Sequence, residues 1–180
     1  MKERRRQNQM ARDRIVSAMM QLIREKPISE VTVQELTELA DVSRMTFYRN
    51  YSSKEDVFIS HIHDILMLYH EDDILKDREG HFYDRKRIRH GFSYFYQYKD
   101  FVNALICCGL SDIFLQKLTE FALDKWLSDI EDIMERYRLV SFVGIMFNSY
   151  LTWIQSSQSL TLDDLTDLVF SICENAYGNP

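Results

Sequence analysis

Apolar residues recur on a 3.6-residue period from one end of this chain to the other, and almost nothing interrupts them. Ile15, Ala18, Met19, Leu22 and Ile23 make one apolar stripe of an amphipathic helix, and the pattern returns in segment after segment. With 5 Gly and 2 Pro in 180 residues there are too few breakers for a hairpin-rich or all-β chain, so the expected fold class is all-α. The apolar share of 46% and charged share of 28% suit a globular core and exclude a disordered or collagen-like polymer. No stretch approaches the roughly 18 uncharged apolar residues of a membrane span. The Arg-rich start runs straight into an amphipathic segment without a signal-peptide block, and the expected location is cytoplasmic.

The first helical stripe is ended nearby by Pro27. Thr32-Val33-Gln34-Glu35 is a capping box that opens a short helix through Ala40, whose inward face is expected to be Val33, Leu36, Leu39 and Ala40. Asp41-Val42-Ser43 breaks the period for a three-residue turn, and a second short helix follows from about Ser43 to Asn50. Ser53-Lys54-Glu55-Asp56 then caps a long helix carrying Val57, Phe58, His61, Ile62, Ile65 and Leu66. Beyond an acidic, irregular stretch from Glu71 to Asp84, further helices are expected over 85–98, 100–108, 111–135, 138–156 and 162–177. The last is opened by a Thr161-Leu162-Asp163-Asp164 cap, after a polar connector from Ser156 to Ser159.

The overall charge of −6 conceals an asymmetry: residues 1–55 carry 11 Lys+Arg against 8 Asp+Glu, the remainder 11 against 20. The basic end therefore favours phosphate. Two short helices joined by a three-residue turn and braced by a preceding helix are the pattern of a helix-turn-helix, whose second helix enters the major groove of DNA. On that helix Arg44, Met45, Thr46, Tyr48 and Asn50 are expected to face outward, with Val42, Phe47 and Tyr51 turned inward. Arg44 can donate twice to guanine, Thr46 can reach a base edge or phosphate, and Met45 can meet a thymine methyl. Tyr48, Asn50 and Lys54 are candidate phosphate clamps, and Thr32 with neighbouring helix-start amides, Ser43 among the candidate contacts, can hold the backbone. The run Arg4 to Arg6 is either an arm for the minor groove or a solubilising tail.

The stretch from Thr32 to Glu55, with its Val42-Ser43, Thr46-Phe47-Tyr48, Tyr51 and Lys54-Glu55, resembles the DNA-binding signature of the tetracycline-repressor family over about residues 10–58. Asp41 stands where that family commonly has Gly, and Asn50 where it often has His. The resemblance implies a DNA-binding domain, 1–53, joined to a helical effector-binding and dimerisation domain, 54–180. It further implies a homodimer built from the last two helices, a palindromic double-stranded operator and a small-molecule effector, with repression as the expected mode.

The helix expected over 138–156 is apolar nearly all round, from Val140 to Ile154, more than a monomer of this size is expected to cover. Tyr94, Phe95, Tyr98 and Phe114, with Phe92, Tyr96 and Phe101, either line an effector pocket or pack the core. No metal or other cofactor is expected: His61 and His63 point roughly 200° apart on a helix, and no chelating i, i+4 pair is present. Cys107, Cys108 and Cys173 have neither disulfide-framework nor zinc spacing and are expected to be buried packing groups, although the adjacent pair also invites a redox reading. No Gly-rich phosphate loop, nucleophile motif or zinc-protease motif is found, so the chain is not expected to be an enzyme. The alternative to a repressor is a helical adaptor or coactivator that keeps the fold and works through a protein partner.

Overall fold

The computed structural model describes residues 2–72, 80–127, 132–156 and 160–178, with the backbone alone at 2–5. The described residues form helices α1 (Lys2–Glu25), α2 (Val33–Leu39), α3 (Arg44–Asn50), α4 (Lys54–His70), α5 (Arg85–Tyr96), α6 (Lys99–Cys107), α7 (Ser111–Leu127), α8 (Ile133–Gln155) and α9 (Leu162–Tyr177), with a 3-10 turn at Ile28–Glu30. No strand occurs among the described residues. The chain divides into two compact units, Met1–Ile65 with Asp100–Phe114, and Leu66–Lys99 with Leu115–Pro180.

In the first unit α1 packs on both α2 and α3. Ile15, Met19, Leu36, Phe47 and Ile62 are fully buried there, each such side chain contributing about 1.5–3 kcal/mol. Leu39 departs from the expected inward face and is 44% exposed, while Thr37 is buried. The helical wheel explains the exchange, because Val33, Leu36, Thr37 and Ala40 span one arc and Leu39 falls outside it. Thr37 is accommodated because its hydroxyl donates to the Val33 and Gln34 carbonyls at 2.8 and 3.0 Å.

Helix α2 ends in a Schellman turn. The Val42 amide donates to the Thr37 carbonyl and the Asp41 amide to that of Glu38, with Asp41 at φ 50. That is the left-handed position for which glycine is the commoner choice, and Asp tolerates it. Helix α1 begins at Lys2, so the backbone of the basic run is helical; Arg6 is exposed, whereas the side chains of Arg4 and Arg5 lie outside the described residues.

In the second unit α5 packs on α8 and α9. The α5–α9 contact is laced by Arg85–Asp167 at 2.5 Å and Arg89–Asp163 at 2.7 Å, above the buried face Leu165, Val169 and Cys173. A full capping box at Thr161 and Asp164 starts α9. Helix α8 begins earlier than expected, at Ile133, because Asp132 caps it by accepting from the Met134 amide at 2.8 Å; the single helix expected over 111–135 is therefore broken before that point. The monomer also covers more of α8 than its composition suggested. Leu139, Val143, Phe147 and Tyr150 are buried, and Phe142, Ile145, Met146, Leu151, Trp153 and Ile154 are half-buried. Cys107 is exposed, contrary to expectation; Cys108 is half-buried and Cys173 buried. The connector at 157–159 and the stretch 73–79 lie outside the described residues.

Candidate nucleic-acid interface

The candidate face is assembled from local caps. Thr32 accepts from the Glu35 amide at 3.2 Å while the Glu35 carboxylate accepts from the Thr32 amide at 3.0 Å, closing the capping box. Lys26 joins it from α1's side with a 2.6 Å bond to Glu35. That bond, with those from Thr32, holds the Glu35 carboxyl down at about 2. Ser43 caps α3 by accepting from the Thr46 amide at 3.1 Å, and its hydroxyl lies 2.9 Å from that of Thr46.

Phe47 and Tyr51 are buried and in ring contact at 5.7 Å, which anchors one side of α3. The opposite side must then face out: Met45 is 72% and Tyr48 62% exposed, with Arg44 exposed beside them. An apolar Met and a Tyr ring held in water next to an Arg are the chemistry of a contact surface. Arg44 is also oriented, since its guanidinium donates to the Gln34 side chain of α2 at 2.6 Å and Gln34 donates to Glu38 at 2.9 Å.

Thr46 and Asn50 are placed differently from the outward positions expected of them. Both are half-buried on the flank of α3, where the Asn50 amide donates to the Thr46 carbonyl at 2.9 Å. With Ser43, Val42, Arg49, Gln7, Asn8 and Ala11 they line a groove of about 930 Å³ between α1 and α3. Val42, expected inward, is half-buried there. Lys54 is engaged inside the unit: its ammonium donates to the Ser29 and Val31 carbonyls at 3.0 and 2.9 Å, closing the 3-10 turn onto the start of α4. One of its three donors remains for another partner. Ser53 accepts from the Asp56 amide at 3.1 Å as the cap pattern requires, while the Asp56 carboxylate turns to Ser52. Gln34, Arg49 and Asn8 were missed in the sequence. Only the i, i+4 spacing of Gln34 and Glu38 pointed to one of them, since the others become site residues by packing.

Residues 15–60 match the family model of bacterial regulatory proteins, tetR family. That match covers the end of α1, the two short helices and the start of α4. The fold extends the likeness along the whole chain. A TetR transcriptional regulator from Streptococcus agalactiae is 24% identical, with 94% of this chain and 97% of that one aligned at a TM-score of 0.65. A TetR-family regulator from Syntrophomonas wolfei is 17% identical over 96% and 97%, with a TM-score of 0.68. At such identities it is the fold that is shared. No curated protein sequence matches the chain. No helix among the described residues is long and apolar enough to cross a membrane.

The four candidate pocket residues are divided between the two units. Tyr94, Phe95 and Tyr98 belong to the second unit, whereas Phe114 belongs to the first, where it is buried. Tyr94 packs on Tyr69 at 4.8 Å and on Tyr98 at 5.5 Å, and Tyr69 stacks flat on His90. Burial pushes both the Tyr69 and Tyr94 phenols up, so each keeps its proton as a hydrogen-bond donor at neutral pH. The phenol of Tyr150 donates to the Phe95 carbonyl at 2.8 Å. Among the described residues no cluster of three or more His, Cys, Asp or Glu has metal-binding geometry.

Proposed function

We propose that this regulator is a ligand-responsive repressor that binds a palindromic operator as a homodimer in the cytoplasm and has no catalytic role. The observation that carries the reading is the outward face of α3, where Arg44, Met45 and Tyr48 stand exposed against a buried Phe47 and Tyr51. Arg44, with the Gln34 bond fixing its direction, reads guanine; Met45 meets thymine methyls; Tyr48, Thr32 and Ser43 take backbone phosphates. Thr46, Asn50 and the free donor of Lys54 complete the backbone contacts from the flank.

Dimerisation is supported by the exposed apolar strip in the second unit: Val140 on α8, and Leu168, 51% exposed, with Ile172 on α9. Gly144 lies between Val140 and Asn148 on the same helix, with open space above it. Two copies joined there present two reading helices to successive turns of DNA, which requires a symmetric operator. An effector received beside Tyr94, Phe95 and Tyr98 would favour the arrangement that releases DNA. A reporter gene placed behind the operator tests the mode directly. Expression falls when the chain is supplied if it represses, and rises or stays unchanged if it does not.

A further inference from the structure

Arg12 is used in a way that neither the fold nor the reading face accounts for. It lies on α1, yet its guanidinium donates to Asp64 near the end of α4 at 2.6 Å. The same group sits over the ring of Tyr51, 5.7 Å from its centre. Tyr51 is the residue on which α3 ends: its amide donates to the Phe47 carbonyl at 2.9 Å, and its ring packs on Phe47. One cation therefore touches three elements: the brace helix, the end of the reading helix, and the helix that leads out of the DNA-binding segment. It does so away from the face formed by Arg44, Met45 and Tyr48. Neither Arg12 nor Asp64 is exposed, with side-chain accessibilities of 23% and 33%. His61 lies beside the pair, edge-on to Phe101 at 4.7 Å. Burial pushes the His61 ring below its ordinary value, so the ring is neutral and does not compete with Arg12 for Asp64 at neutral pH.

We propose that Arg12 is a positioning residue for operator recognition, anchored by Asp64, which holds the end of α3 at a fixed setting on α4. Hydrophobic packing keeps the helices together but tolerates small rotations, whereas a charged hydrogen bond with a ring stacked on it has one setting. A change in α4 then reaches α3 through this tie. The inference rests on the operator reading above, and its test separates the two.

Operator and unrelated duplexes of equal length are titrated with the full chain and with Arg12→Ala, Asp64→Asn and the double variant, at a temperature where circular dichroism shows all of them folded. Each single change should lower operator affinity by roughly 2- to 30-fold and leave affinity for the unrelated duplex little changed. The double variant should lose no more than the weaker single, because the tie is already cut. If charge alone were at work, Arg12→Ala would weaken both duplexes and Asp64→Asn would strengthen both; that outcome, or losses that add, overturns the proposal. Amide exchange in the DNA-free protein gives an independent readout. The Phe47 and Tyr51 amides should exchange faster in both single variants while Met19 in α1 keeps its protection. If the parent chain selects no operator, the functional reading fails, and the exchange result alone decides: unchanged protection at Phe47 and Tyr51 refutes the positioning role.

Discussion

Replacing Lys54 with Met removes an ammonium while keeping most of its stem, and the outcome separates two roles for one residue. In the structure that ammonium bonds the Ser29 and Val31 carbonyls, 25 and 23 residues earlier in the chain. Hydrogen bonds to a charged donor contribute about 1.5–3 kcal/mol each when sheltered. The Ser29 bond is exposed and water can replace it, and the Val31 bond is only partly buried, so the net loss should be about 1–2 kcal/mol. For a chain of this size that lowers Tm by roughly 2–8 °C. A lysine committed to phosphate contributes instead about 0.9 to the salt slope of log K per subunit. The assay is thermal melting of both proteins, followed by operator titration across a salt series. The structure predicts a lower Tm with a slope change smaller than a full phosphate contact. An unchanged Tm together with a full loss of slope would show that Lys54 sits on DNA and not on the 3-10 turn, and the argument from its hydrogen bonds would be wrong.

Other consequences are as direct. Arg44→Ala should relax base preference at one position in each half-site, measured by comparing operators substituted at single positions; an equal loss on every sequence would contradict its assigned role. Asp41→Ala should destabilise the chain by about 1 kcal/mol, since a left-handed residue is being replaced by one with a full Cβ penalty, whereas Asp41→Gly should melt no lower than the parent. Glu35 gives a pH signature. Its carboxyl is held at about 2 in the folded protein, so its stabilising effect is complete above the ordinary carboxylate range near 4.5 and is lost as pH falls toward 2. The Tm gap between the parent and Glu35→Gln should therefore be wide at neutral pH and close on acidification through that window. Leu168→Arg should shift the protein to monomer in sedimentation, and with it weaken operator binding, because the exposed apolar strip on α8 and α9 can no longer pair.

What was legible in the sequence is what depends on near neighbours. The Thr32–Glu35 and Thr161–Asp164 boxes and the Ser43 cap are i, i+3 features, and each opens a helix where the spacing requires it. Phe47 and Tyr51 follow from the period of α3, and so does the exposure of Met45 and Tyr48. Long-range partners were not legible. Nothing near Lys54 announces the carbonyls of Ser29 and Val31, and nothing near Arg12 announces Asp64, 52 residues away. Leu39 is exposed despite its apolar type because the angle at which a short helix presents a residue decides its burial. The extent to which α8 is covered escaped for a related reason: composition says how apolar a helix is, but only packing says how many of its sides have neighbours.

The outer side chains of α3 are proposed to read a duplex groove, twice, in a symmetric pair. Selection of bound duplexes from a random pool by the purified full chain tests it most directly. Two reading helices in a symmetric pair should enrich an inverted repeat whose half-site centres lie about 10 base pairs or a multiple of that apart. Recovery of no preferred sequence, or of one lacking two-fold symmetry, would contradict it, and binding that arises only when a second protein is added would favour the adaptor reading instead.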